Sequence, residues 1–176
     1  MLHIRIAQRA AAAVAVLAAA VLAGTAQAQA STEPAASSCQ YSCVLDARTG
    51  SHPDYDRLVF DLSNTGQLPT VRARDSSDGT YTPGASDEPR KLQIAGKSYL
   101  FLDIDPVTTT TTGPDAYTSP TVQPVSLLSL KGIQLASAGG FEMEHTTTFG
   151  LSLGNYSSYK VFTLTAPNRV VVDIYH

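Results

Sequence analysis

Hydrophobic side chains recur at every second position through a series of short runs in this chain, and nowhere is a helical spacing of three or four residues sustained. In YDRLVFDL, residues 55–62, Leu58, Phe60 and Leu62 share one face while Arg57, Val59 and Asp61 share the other. The same alternation sets Leu100, Leu102 and Ile104 together in 99–104, and Phe149, Leu151 and Leu153 together in 146–153. Residues 160–164 and 169–175 read as two further strands, 44–48 as a first short one and 71–74 as a weak edge. The run 92–95 is expected to pair with 99–104 as a hairpin about Gly96-Lys97, and 126–136 to form a strand pair or one strand with a turn at Lys131-Gly132. Two stretches dense in turn formers, 75–89 and 105–124, read as loops. Short strands with Gly and Pro turns at this spacing predict an all-β fold, an antiparallel β-sandwich of about eight or nine strands with long loops.

The N-terminal segment follows another logic. His3, Arg5 and Arg9 make a basic start, residues 10–23 are apolar, and Ala26-Gln27-Ala28 or Ala28-Gln29-Ala30 offers small residues for cleavage. Residues 1–30 are therefore expected to be a signal peptide. A retained spanning helix needs ~20 apolar residues, so no stable membrane anchor is expected. Leu22-Ala23-Gly24 would open a lipobox, but Thr25 stands where a thioether-linked lipid requires cysteine, which predicts a secreted, non-lipidated protein. Residues 31–38, STEPAASS, read as a disordered spacer, and 39–176 as one domain.

Charge and cysteines narrow the function. Removing Arg5 and Arg9 leaves ten basic residues against fifteen acidic, a formal charge of −5. That balance excludes nucleic acid as a partner and gives no electrostatic hold on polyanionic wall polymers. Cys39 and Cys43, the two cysteines, are expected to form a disulfide in an oxidising compartment, a local staple of roughly 2 kcal/mol. With no clustered histidines they cannot close a zinc site, so no metal or other cofactor is expected.

Candidate catalytic groups dissolve on inspection. Gly150-Leu151-Ser152-Leu153-Gly154 matches the G-x-S-x-G nucleophile elbow, and Asp173 and His176 follow in hydrolase order. The elbow is a strand-to-helix turn, however, whereas here the alternation continues into another strand, and Asp173 and His176 point to opposite faces. Ser152→Ala should accordingly be nearly silent, and no catalytic residue is assigned. The pairs Asp54/Asp56 and Asp103/Asp105 each share a strand face but lack the Asp-x-Asp-x-Asp-Gly calcium pattern, so turn capping and solvation are their expected uses. Arg57 and Asp61, and likewise Arg169 and Asp173, fall on one face of their strands and are expected to form structural ion pairs across neighbouring strands. Among eight Tyr, five Phe and no Trp, Tyr117, Tyr156 and Tyr159 are the candidate ligand-binding rings, placed in or beside turns where a ring can stack on a sugar.

Three motifs taken in order, YDRLVF at 55–60, FE with TTFGLSL at 141–153, and FTLTAPNRVVVDI at 162–174, resemble the AMIN-like domain of exported actinobacterial envelope proteins. The resemblance implies a non-catalytic binding module of the cell envelope, with peptidoglycan, another cell-wall glycan or an envelope protein as partner. A monomer is expected. A secreted protein-interaction or inhibitor module using the 108–124 loop is the alternative, and a hydrolase the remote one.

Overall fold

The computed structural model describes residues 39, 41–64, 67–84, 86, 88–110, 115–138 and 145–176. The expected signal peptide, the spacer and part of the 105–124 loop lie outside these residues. Twelve strands form: β1 (Ser42–Ser51), β2 (Tyr55–Leu62), β3 (Thr70–Ser76), β4 (Thr80–Tyr81), β5 (Arg90–Lys91), β6 (Ser98–Asp105), β7 (Val107–Thr108), β8 (Val122–Pro124), β9 (Leu130–Ser137), β10 (Thr147–Leu153), β11 (Ser158–Leu164) and β12 (Arg169–Tyr175). Two five-stranded sheets, β11-β12-β2-β1-β7 and β3-β6-β10-β9-β8, face each other, and β4-β5 is a separate ribbon. Every pairing is antiparallel except β1 with β7. The surplus over eight or nine strands comes from two- and three-residue pieces, β4, β5, β7 and β8, which are too short to show an alternation.

The alternating apolar rows meet between the sheets. Leu58, Phe60, Val170, Val172 and Ile174 from the first sheet pack against Leu100, Leu102, Ile104, Phe149, Leu151 and Leu153 from the second, all fully buried. Phe60 and Phe149 bridge the layers with ring centroids 4.3 Å apart. Cys39 and Cys43 are joined by a disulfide at the start of β1.

The 92–95 run departs from expectation, for it is not a strand and makes no hairpin with β6. It crosses the outer face of the second sheet, where two glycines admit it. A Cβ on Gly150 would lie 2.4 Å from Leu92, and one on Gly132 would lie 2.4 Å from Ile94. Polar side chains of the sheet then pin this strap: Gln93 N–H donates to Gln134 Oε1 at 2.8 Å, and the Ser152 hydroxyl donates to Ile94 O at 2.6 Å. The G-x-S-x-G pattern is thus a docking surface for a covering segment, with Gly150 making room and buried Ser152 holding the strap's backbone. Ser152→Ala leaves Ile94 O without that donor and should cost about 1 kcal/mol in a denaturant melt, in place of the near-silence that the alternation suggested. An unchanged midpoint would refute the strap's dependence on this bond.

Within the 105–124 stretch, expected to be a loop, β7 joins the first sheet and β8 the second, and residues 117–119 lie along β1. The register shift of β1 between Val44 and Asp46 leaves backbone groups that irregular neighbours satisfy. Thr118 N–H donates to Leu45 O at 2.9 Å, and Ala47 N–H donates to the Ser119 hydroxyl at 2.9 Å. Between these contacts and β7, Tyr117 drops into the core, its ring 5.5 Å from that of Phe149.

Candidate functional site

Because β2 and β12 pair in register, their outward residues form four rows across the first sheet: Tyr55 with Tyr175, Arg57 with Asp173, Val59 with Val171, and Asp61 with Arg169. β11 extends the rows, setting Lys160 beside Asp173, Phe162 beside Val171 and Leu164 beside Arg169. The motifs YDRLVF and NRVVVDI therefore build one surface, each supplying alternate residues to the core below it and to the face above.

At its centre lies a two-pronged ion pair. Arg57 Nε donates to Asp173 Oδ1 at 2.6 Å and Nη2 to Oδ2 at 2.8 Å. Asp173 is nearly buried, whereas the Arg57 side chain keeps 33% of its exposure and, with it, N–H donors not spent on the carboxylate. The hydrogen bonds from Arg57 to Asp173 outweigh the opposing effect of burial and hold the guanidinium pKa above its ordinary value, so it stays charged. Rings flank the pair. The guanidinium lies 5.0 Å from the Tyr55 centroid and 5.8 Å from that of Phe162, and Lys160 Nζ lies 5.4 Å above Phe162. His52 stacks on Tyr55 at 4.4 Å, and Tyr55 meets Tyr175 at 5.5 Å. Opposite Arg57 on β1 stands Gly50, where a Cβ would meet nothing within 4 Å. Aromatic faces beside planar donors and acceptors can stack on the C–H face of a pyranose and bond its hydroxyls.

The residues singled out from sequence are placed differently from one another. Arg57 pairs with Asp173 across β2 and β12, and Asp61 pairs with Arg48 of β1, Nε to Oδ2 at 2.6 Å. Arg169 makes no ion pair among the described residues, and its Nε donates to Pro167 O at 3.3 Å. Tyr117 is a correction: its ring is in the core and cannot stack on a ligand, and burial pushes its phenol up to about 12. Tyr156 and Tyr159 pack their rings against the core and donate their hydroxyls to Asp75 at 3.4 and 3.2 Å, closing the gap between the edge strands β11 and β3. The rings that do lie on the open face are Tyr55, Phe162 and Tyr175, and the alternation that puts Arg57 outward puts Tyr55 beside it.

The carboxylate pairs separate as well. Asp54 is exposed in a bend, whereas Asp56 continues the inward row of Leu58 and Phe60 and is fully buried. Asp103 is taken by Arg74 and Thr148, while Asp105 accepts from Thr146 at 3.0 Å. Asp56, Ser129 and His176 do approach one another, but not as a nucleophile assembly. The buried Ser129 hydroxyl lies 3.3 Å from His176 Nδ1 but donates to Asn155 O at 2.6 Å, the other ring nitrogen lies 3.2 Å from Pro53 O, and Asp56 Oδ2 accepts the backbone N–H of Ser129 instead of orienting the imidazole.

The protein is a two-layered β-sandwich that presents a ring-flanked ion pair on the outer face of one sheet. The chain belongs to the AMIN-like domain family, whose model matches residues 42–176. Domains of this family are in general non-catalytic modules associated with the cell envelope, and a disulfide at the head of the domain suits an oxidising compartment. No curated protein and no solved structure matches the chain.

Proposed function

We propose that this protein is an exported, non-lipidated module that binds a cell-wall glycan, peptidoglycan foremost, through the outer face of β2, β12 and β11. One observation carries the reading: Tyr55, Tyr175 and Phe162 surround the Arg57–Asp173 pair on a single face, matching the alternation of apolar C–H faces and hydroxyls along a polysaccharide. Stacking and hydrogen bonding supply the affinity, since the net negative charge contributes no attraction to an anionic wall. Retention on insoluble peptidoglycan should therefore change little between low and high salt. Tyr55→Ala and Tyr175→Ala should each lower it about three- to tenfold, at ~1 kcal/mol per ring, while Tyr156→Phe, which keeps a ring packed against the core and loses only the hydroxyl that reaches Asp75, leaves it unchanged. Retention that ignores both ring deletions would sink the assignment to this face. Capture of one envelope protein with none of the sacculus would turn the reading to a protein-interaction module.

A further inference from the structure

Charge is unevenly spread over the ring-flanked face. Arg57 of β2, Asp173 of β12 and Lys160 of β11 stand side by side in one row, with the carboxylate in the middle. Arg57 takes both oxygens of that carboxylate, Nε on Oδ1 at 2.6 Å and Nη2 on Oδ2 at 2.8 Å, and the Asp173 side chain is nearly buried. Lys160 is left exposed, with no hydrogen bond or ion pair to any described residue. The other carboxylates of the face do not serve it. Asp46 and Asp61 stand opposite each other two rows further along, where Arg48 binds Asp61. Two cations thus share one anion, and the row holds a surplus positive charge in a chain that is negative as a whole.

That surplus lies against the apolar part of the face. Lys160 Nζ is 5.4 Å and the Arg57 guanidinium 5.8 Å from the centroid of the same ring, Phe162. Lys160 sits on a flexible four-carbon stem and can swing from the ring to a ligand, while Arg57 keeps N–H donors not spent on Asp173. A sugar hydroxyl gives these donors an acceptor but leaves the surplus charge uncompensated. A carboxylate does both, because it accepts from ammonium and guanidinium together and brings the single negative charge that closes the balance. A phosphate monoester carries roughly −1.5 to −2, which exceeds the surplus and repels Asp173. Where a sugar's carboxyl is tied up as an amide, only the salt-insensitive stacking and hydroxyl bonds remain.

We infer that the ring-flanked face prefers an acidic pyranose, its carboxylate held by Lys160 and Arg57. This preference rests on the reading that the face binds a glycan, and it names the class of sugar selected. The probes are the methyl glycoside of glucuronic acid, its amide, which has nearly the same shape and no charge, and methyl glucoside 6-phosphate. Each is titrated into the purified, isotope-labelled protein and followed by amide chemical shifts. Acid and amide should both move the amides of residues 55–57, 160–162 and 171–175, the acid binding about tenfold more tightly at low salt and the phosphate no more tightly than the acid. High salt should shrink that ratio by weakening the acid alone. Lys160→Gln should bring acid and amide to about the same affinity, whereas Lys160→Arg should keep them apart, with the rest of the spectrum unmoved as the check on folding. Equal affinity of acid and amide in the unsubstituted protein, a preference that survives Lys160→Gln, or tighter binding of the phosphate would overturn the preference and leave glycan binding in place. Absence of shifts on this face with every probe would overturn both.

Discussion

Phe60→Ala is expected to destabilise the domain by about 3–5 kcal/mol and to lower the melting temperature by at least about 10 °C. Phe60 is fully buried in β2, in the middle strand of its sheet, with its ring against Phe149 of the facing sheet. Truncation removes the contact between the layers and leaves a void that strands held by hydrogen bonds on both sides cannot collapse to fill. Phe60→Leu keeps most of the volume and should cost ~1.5 kcal/mol or less. Both values come from chemical denaturation of the purified protein. Equal losses for Ala and Leu would mean that the ring is not what fills the space between the sheets.

Asp56→Ala should cost about 2–5 kcal/mol, a loss similar to that of Phe60 but of different origin. Asp56 is in the apolar row of β2, fully buried, and its Oδ2 accepts the backbone N–H of Ser129 at 2.5 Å and of Leu130 at 3.1 Å. Those amides open β9 in the other sheet, so one carboxylate oxygen ties the two layers at the end of the core. Without it two buried donors are orphaned, each at about 1–3 kcal/mol. Asp56→Asn retains an accepting oxygen in the same place and should lose clearly less. If Asn and Ala were equally damaging, the negative charge would matter and not the acceptor, and the clasp as described would be wrong.

The outer groups respond to pH in a direction their surroundings set. Burial works against the charged form of Asp103, but the hydrogen bonds from Arg74 and Thr148, with the charge of Arg74, outweigh it and hold the carboxyl below the ordinary range. A depressed folded pKa gives stability that is present above the unfolded carboxylate pKa and is lost as the pH falls through the folded one. Asp103→Asn should therefore flatten part of the acid limb of the stability profile.

Much of the fold is legible along the chain because a strand buries every second residue, and a period of two survives in the sequence whatever the partner strand is. The rows of Leu58 with Phe60, Leu100 with Leu102, and Phe149 with Leu151 are plain in this way, as is the outward placing of Arg57. The same rule points to Asp56 as an inward residue, two positions before Leu58. Only the structure supplies the backbone amides of Ser129 and Leu130 that make a buried carboxylate tolerable. For Leu92 and Ile94 the apolar spacing is compatible with a strand, yet they cover an outer face instead, because Gly132 and Gly150 from distant parts of the chain leave hollows for them.

The candidate sites depend on tertiary pairing more heavily still. Arg57 has an aspartate four residues along its own strand and another 116 residues away, and which one it takes is decided by the register of β2 against β12. Tyr117 reads like the other tyrosines near turns, and its burial follows from a loop that answers the irregularity of β1. Alternation, turn chemistry and the cysteine pair are local properties of the chain, so composition and order alone determine an all-β domain with defined inward rows and a short disulfide loop. Strand order, the occupant of each carboxylate and the choice of exposed rings depend on contacts between residues far apart in sequence. Those contacts arise only when the two sheets close on each other, and so the tertiary structure decided where this protein's ring-flanked face would lie.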